Sequence, residues 1–128
     1  VTGLEISSAS VRHAERNAAR NRLKHTRFMS GDVARHLREL LPNHDALVVD
    51  PPRKGLDPAV LAMVLDYPPR RLVYLSCDPA TLARDLRQLA GDSGPYRIEQ
   101  VQPMDFFPQT SHLECLVLMS RISCAAPP

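Results

Sequence analysis

Twice in this chain a run of four apolar residues stops at an acid-and-proline turn that leads into a helix. Ala46-Leu47-Val48-Val49 ends at Asp50-Pro51-Pro52, with Asp57-Pro58 close behind, and Leu72-Val73-Tyr74-Leu75 ends at Ser76-Cys77-Asp78-Pro79. An Asp before a Pro is a strong helix start. The carboxylate accepts from amides of the first turn, and Pro at the first helical position gives up a donor that has no partner there anyway. Apolar runs this short, without polar alternation, read as parallel strands buried on both faces. Strand, turn and helix in repeated succession restrict the chain to an α/β fold with a mostly parallel sheet.

The rest of the chain fits that pattern. Val1–Ile6 reads as a short strand with Glu5 near its end, followed by a helix over 8–22 that Ser7, Ser8 or Ser10 caps. Thr26–Ser30 reads as a second strand, and Asp32 caps a helix over 33–41 that Pro42 and Asn43 stop. The Asp57-Pro58 helix runs to Asp66, and the Asp78-Pro79 helix covers 80–90 and closes at Gly91. Tyr96–Val101 and Glu114–Ser120 are two further strands, antiparallel if they meet. Ser123–Pro128 reads as a disordered tail.

Composition narrows the class. A length of 128 residues predicts one domain, and 44% hydrophobic with 23% charged residues is neither disordered nor fibrous. No apolar run approaches the ~18–20 residues that span a bilayer, so no membrane association is expected. Cys77, Cys115 and Cys124 have no paired spacing, which argues against a disulfide scaffold and for a reducing, cytoplasmic compartment. Zinc spacing is absent, and His112 with Glu114 offers too few ligands to make a metal site. A net charge of +2 is too weak by itself to indicate nucleic acid, and no stable protein partner is predicted. The chain opens on Val1 rather than Met, so a fragment is expected.

In open α/β sheets ligands bind outside the carboxyl ends of the strands. Here those ends carry Glu5, Gly31-Asp32, Asp50-Pro51-Pro52-Arg53 and Ser76-Cys77-Asp78. Glu5 suits the hydroxyls of a ribose, or simply the start of the next helix. Asp32 suits an adenine amino group, or its own helix cap. The Asp50 turn, stiffened by two prolines, suits a planar base or a methyl donor, or only the end of a strand. Cys77 precedes a capped helix start, where the helix dipole favours the nucleophilic thiolate; the alternative is a small buried apolar residue. Glu114 opens an otherwise apolar strand, as a solvated end or as a base beside a site. Arg12, Arg16 and Arg20 share one helix face, which reads as solvated, with an RNA backbone contact as the alternative.

Asp50-Pro51-Pro52-Arg53-Lys54-Gly55, Leu75-Ser76-Cys77-Asp78-Pro79-Ala80-Thr81-Leu82-Ala83-Arg84-Asp85 and Phe107-Pro108-Gln109-Thr110-Ser111-His112-Leu113-Glu114 together resemble the RNA uracil-C5 methyltransferases, with Gly3-Leu4-Glu5-Ile6-Ser7 resembling their cofactor-ribose segment. These enzymes use S-adenosylmethionine to make 5-methyluridine in ribosomal or transfer RNA. The resemblance implies a Rossmann-like class I methyltransferase sheet, with residues 1–121 as the C-terminal portion of the catalytic domain and 122–128 as a tail. It implies Cys77 as nucleophile and Glu114 as general base. Glu5 and Asp32 would hold the ribose and adenine of S-adenosylmethionine, and Asp50 would lie beside the methyl donor. Pro51 and Arg53 would be at the uracil, with Arg53 a donor to the enolate oxygen.

Two features depart from the family pattern. Asp78 stands where the family usually has Asn, which sets a negative charge beside Cys77. The glycine-rich loop and first strand, which precede the Glu5 strand in the family, are not in this sequence. Without that central strand the Glu5 and Asp50 strands are each expected to carry an open edge, and the fragment to be poorly stable and inactive alone. Two rivals stay open: an adenine amino-methyltransferase, which also uses an Asp-Pro-Pro turn but needs no thiol, and a non-catalytic remnant that binds RNA or protein.

Overall fold

The computed structural model describes residues 1–110 and 113–122, and in it strands and helices alternate as the capping residues direct. The order is β1 (Thr2–Glu5), α1 (Ser8–Arg20), β2 (Arg27–Ser30), α2 (Val33–Leu40), β3 (Ala46–Val49), α3 (Pro58–Asp66), β4 (Arg71–Ser76), α4 (Pro79–Ala90), β5 (Tyr96–Met104) and β6 (Glu114–Arg121). The chain divides into two compact units, Val1–Glu39 and Leu40–Pro128. Each has its own sheet.

In the first unit β1 and β2 are parallel, with Thr2 opposite Arg27 and Glu5 opposite Ser30. The helix α1 makes the crossover. Ser7 caps it by accepting from the Ser10 amide at 3.2 Å, and Val11 and Ala18 are its buried residues. Gly3 leaves room for the neighbouring strand, since a side-chain carbon there would stand 2.8 Å from the Phe28 ring.

The second unit has a mixed sheet in the order β3-β4-β6-β5, with β3 parallel to β4 and β6 antiparallel to both its neighbours. Alternate residues of β4 and β6 form the core face: Leu72 lies opposite Met119 and Tyr74 opposite Val117, all of them buried. Val60, Leu61 and Val64 of α3 are buried too, as are Leu82 and Leu89 of α4. Each such aliphatic side chain contributes about 1.5–3 kcal/mol by leaving water.

Three expectations need correction. First, β3 is not buried on both faces: Val48 is 70% exposed. Among the described residues β3 pairs only with β4, and the face carrying Ala46 and Val48 is open. Second, β5 runs on past Val101 to Met104 despite Pro103. It pairs with β6 alone, and an edge strand tolerates a residue that cannot donate on its free side. Third, Pro42 and Asn43 do not stop the backbone at once but carry it through a 3-10 turn over Leu41–Asn43, with Pro in the first turn where its missing donor costs nothing. β1 likewise pairs on one side only among the described residues, so both expected open edges are present. No helix among the described residues is long and apolar enough to cross a membrane. Cys124 and the tail 123–128 lie outside them.

Candidate active site

The register of β4 against β6 puts two of the candidate residues at the same end of the sheet. Ser76, the last residue of β4, lies opposite Cys115, so Cys77, which follows β4, and Glu114, which opens β6, each stand one residue past the last pair of that ladder. Met104, the last residue of β5, lies on the other side of Glu114. On the β3 side Val49 lies opposite Tyr74, so Asp50 leaves the sheet at the same end. A thiol and two carboxylates therefore converge at one end of the four-stranded sheet. Cys77 and Glu114 are half-buried, and Asp50 is exposed with no hydrogen-bond partner among the described residues.

A tight turn holds Cys77. The buried Ser76 hydroxyl donates to the Asp78 carbonyl at 3.0 Å and accepts from the Asp78 amide at 3.2 Å. Asp78 Oδ1 accepts from the Ala80 and Thr81 amides, both at 3.0 Å, and so caps α4. The Thr81 amide in the first place, with help from the Ala80 amide, the Thr81 hydroxyl and the nearby Arg53 guanidinium, holds this carboxyl below the usual aspartate range. The negative charge that the sequence sets beside Cys77 is thus tied to helix amides and faces an arginine.

The segment after Asp50 is folded onto α4. The Gly55 amide donates to the Pro52 carbonyl at 2.8 Å and closes a turn. The Thr81 hydroxyl donates to the Arg53 carbonyl, Arg84 Nη2 donates to the Lys54 carbonyl, and the Leu56 amide donates to Asp85 Oδ2, each at 2.9 Å. Asp85 is fully buried, and its remaining bonds come from the Tyr74 hydroxyl at 2.7 Å and from Arg84 Nε and Nη2 at 2.9 and 2.8 Å. Burial, then the Asp85 carboxylate, pushes the Tyr74 hydroxyl far up from the ordinary tyrosine value. Gly55 has φ +79°, and a side-chain carbon there would stand 2.5 Å from Arg84 Nη2 and 2.6 Å from Asp85 Oδ2. Only glycine meets both conditions.

Sequence reasoning picked out the loop and Cys77 but missed Thr81, Arg84 and Asp85 as the residues that join them. A signal was present: Leu82, Asp85 and Leu89 are the buried positions of α4, so an acid sits in its apolar stripe. An acid in such a stripe has to be paired.

In the first unit Glu5 and Asp32 come together at the carboxyl end of the two-stranded sheet. The Gly31 amide donates to the Glu5 carbonyl at 3.1 Å. Glu5 Oε1 accepts from the Ser7 amide at 2.7 Å, and Asp32 Oδ1 accepts from the Ala34 amide at 2.8 Å at the start of α2. Among the described residues no partner is seen for the second oxygen of either carboxylate, which could accept from a donor such as a ribose hydroxyl or an adenine amino group. Arg12, Arg16 and Arg20 are exposed on α1. His112, considered beside Glu114 as a metal pair, lies outside the described residues. A concavity of the second unit, about 610 Å³, is lined by residues that include Gly91, Tyr96, Arg97, Ser120 and Arg121. It lies at the far end of β6 from Glu114.

The sequence model of the tRNA (uracil-5-)-methyltransferase family matches residues 1–122. The chain belongs to this family. An RNA methyltransferase of Parasynechococcus marenigrum is 54% identical over 124 residues, which cover 96% of this chain and 27% of that protein. One from Bacillus cereus (strain ATCC 10987) is 46% identical over 125 residues, covering 95% and 27%. The chain therefore spans about a quarter of the length of the curated relatives it matches. Among solved structures, a Pyrococcus abyssi tRNA (uracil-54, C5)-methyltransferase in complex with S-adenosyl-L-homocysteine superposes with a TM-score of 0.76 at 30% identity, over 93% of this chain and 28% of that one. An rRNA methylase of Streptococcus thermophilus superposes with a TM-score of 0.68 at 11% identity, over 96% and 74%, and at that identity shows the fold alone. The fold is that of a class I methyltransferase, with a Rossmann-like arrangement of strands and helices.

Proposed function

We propose that the whole protein transfers a methyl group from S-adenosylmethionine to C5 of a uridine in ribosomal or transfer RNA, through a covalent adduct on Cys77 with Glu114 as base. The observation that carries this reading is the β4–β6 register, which leaves a half-buried thiol and a half-buried carboxylate each one residue past the last pair, at the sheet end where α/β enzymes bind their ligands. A rival that methylates an adenine amino group has no use for that pair.

Uracil C5 is a poor nucleophile. Cys77 Sγ, as thiolate, forms a bond to C6, and the C5–C6 π pair moves onto C5 and the O4 enolate. When bound, S-adenosylmethionine would supply an electrophilic methyl carbon to C5, the methyl C–S bond breaking with its electron pair kept by the sulfur, which would leave as the neutral thioether. Glu114 then removes the C5 proton; the electron pair restores the double bond and the thiolate leaves. Arg53 supplies a guanidinium to the enolate oxygen, and Pro51 forms a rigid wall beside the ring. Glu5 accepts from the ribose hydroxyls of the methyl donor, Asp32 from its adenine amino group, and Asp50 lines the methyl end. A uridine held in an RNA stack has to be unstacked to reach Cys77.

The test is Glu114→Gln in the whole protein, incubated with S-adenosylmethionine and uridine-containing RNA. The expected result is a methylated RNA–protein adduct that survives a denaturing gel. Absence of the adduct, with Cys77 intact and RNA bound, removes Glu114 from the base role.

A further inference from the structure

We propose that Thr81, Arg84 and Asp85 are positioning residues. They latch the Asp50–Gly55 loop onto the helix whose first turn follows Cys77, and so set Asp50 and Arg53 against the nucleophile. The proposal rests on the reading of Cys77 and Arg53 given above. The three residues lie on one face of α4, at i, i+3 and i+4. They bind three main-chain groups of a single stretch: the Arg53 carbonyl, the Lys54 carbonyl and the Leu56 amide, each at 2.9 Å. Gly55, between the last two, lies flat against the same helix face, where no larger residue fits.

Leu56 is buried at the end of the stretch, but Pro52, Arg53 and Lys54 are exposed, so main-chain bonds rather than side-chain burial determine where those three lie. Because the helix takes up main-chain atoms, the Arg53 side chain stays free, and it lies close enough to Asp78 to lower that carboxyl's pKa. Thr81 is the shortest link. Its amide caps onto Asp78 at 3.0 Å and its hydroxyl reaches Arg53 at 2.9 Å, so one residue ties the Cys77 turn to the arginine. Asp85 anchors the other end between the Tyr74 hydroxyl on β4 and the Leu56 amide.

The test compares Thr81→Val, Thr81→Ser and Asp85→Asn in the whole protein, by steady-state methyl transfer to uridine-containing RNA. Thr81→Val and Asp85→Asn are expected to lower kcat about 10- to 100-fold with KM for RNA changed less than about twofold, the signature of misplacement rather than lost binding. Thr81→Ser, which keeps the hydroxyl, is expected to restore kcat to within about threefold of the parent. Val keeps the shape of Thr, so a packing role gives the reverse order, and that order overturns the latch. So does a parent-like kcat in Thr81→Val. If Asp85→Asn does not fold, the Thr81 pair decides alone. Amide hydrogen exchange across 53–56 needs no substrate: faster exchange in Thr81→Val than in Thr81→Ser supports the latch, and unchanged exchange in Thr81→Val overturns it. Cys77→Ala run in parallel separates the two ideas, because methylation by that variant strikes the nucleophile and leaves the exchange result standing.

Discussion

The helices α3 and α4 begin alike and then diverge. Asp57-Pro58 opens the first and Asp78-Pro79 the second, and each aspartate accepts from the amide two residues on, at 2.9 and 3.0 Å. Three, six and seven residues past the cap, α3 carries Val60, Met63 and Val64, and α4 carries Thr81, Arg84 and Asp85. Val64 and Asp85, at matching positions, are both wholly buried. One helix spends that face on the core; the other spends it holding a loop. The capping signal thus specifies that a helix starts, and the face it presents decides whether the start is structural or part of a site.

Several changes would break or sharpen this contrast. The largest effect is expected at the residue before the second cap. Cys77→Ala in the whole protein should reduce methyl incorporation into uridine-containing RNA to background, while Leu56→Val, just before the first cap, should leave kcat within about threefold. Next come the two buried positions. Asp85→Ala strands the Tyr74 hydroxyl and the Leu56 amide and should cost about 2–5 kcal/mol in a urea unfolding curve, because two buried donors each lose their acceptor at about 1–3 kcal/mol. Val64→Ala should cost about 1–3 kcal/mol, the loss of buried methyl groups, with kcat retained. Equal costs with equal losses of kcat would erase the distinction between the helices. Smaller still, Asp57→Ala should cost ~1 kcal/mol in the same curve through loss of the cap alone.

The smallest effect concerns pH. The Asp78 carboxyl is held below its ordinary value of 3.8 in the folded chain. Its contribution to stability is therefore complete above that value and is lost as pH falls through the lower folded value. Asp78→Asn, which still accepts at the cap, should flatten the acid limb of the stability profile. A steeper acid limb in Asp78→Asn would contradict the sign.

What was readable in the sequence follows from how local each feature is. The Asp-Pro starts, Ser7 as a cap and the Gly91 stop depend on neighbours within one turn, and the helices begin and end within a few residues of where these signals place them. That β5 and β6 would be antiparallel if they met was also legible. The insertion of β6 between β4 and β5 was not, because strand order is set by packing across the whole sheet. β3 misled for a related reason: its four apolar residues look like a strand covered on both faces, but whether a face is covered depends on elements distant in sequence. At the site, the candidate carboxylates and the thiol were legible as strand-end residues. That Cys77 and Glu114 share one end of the sheet came only with the register, and the Asp85 network only with the meeting of two segments 29 residues apart.

That register has a consequence for how the chain tolerates change in length. Side chains alternate faces along a strand, so a single residue inserted within β6 just after Glu114 would turn that carboxylate to the opposite side of the sheet from where it now stands. A residue inserted in the connection between Met104 and Glu114 would leave the ladder untouched. The alignment of β4 and β6 behaves like a ruler engraved on two strands, and length variation along descent should collect in the connector and be absent from the graduated part.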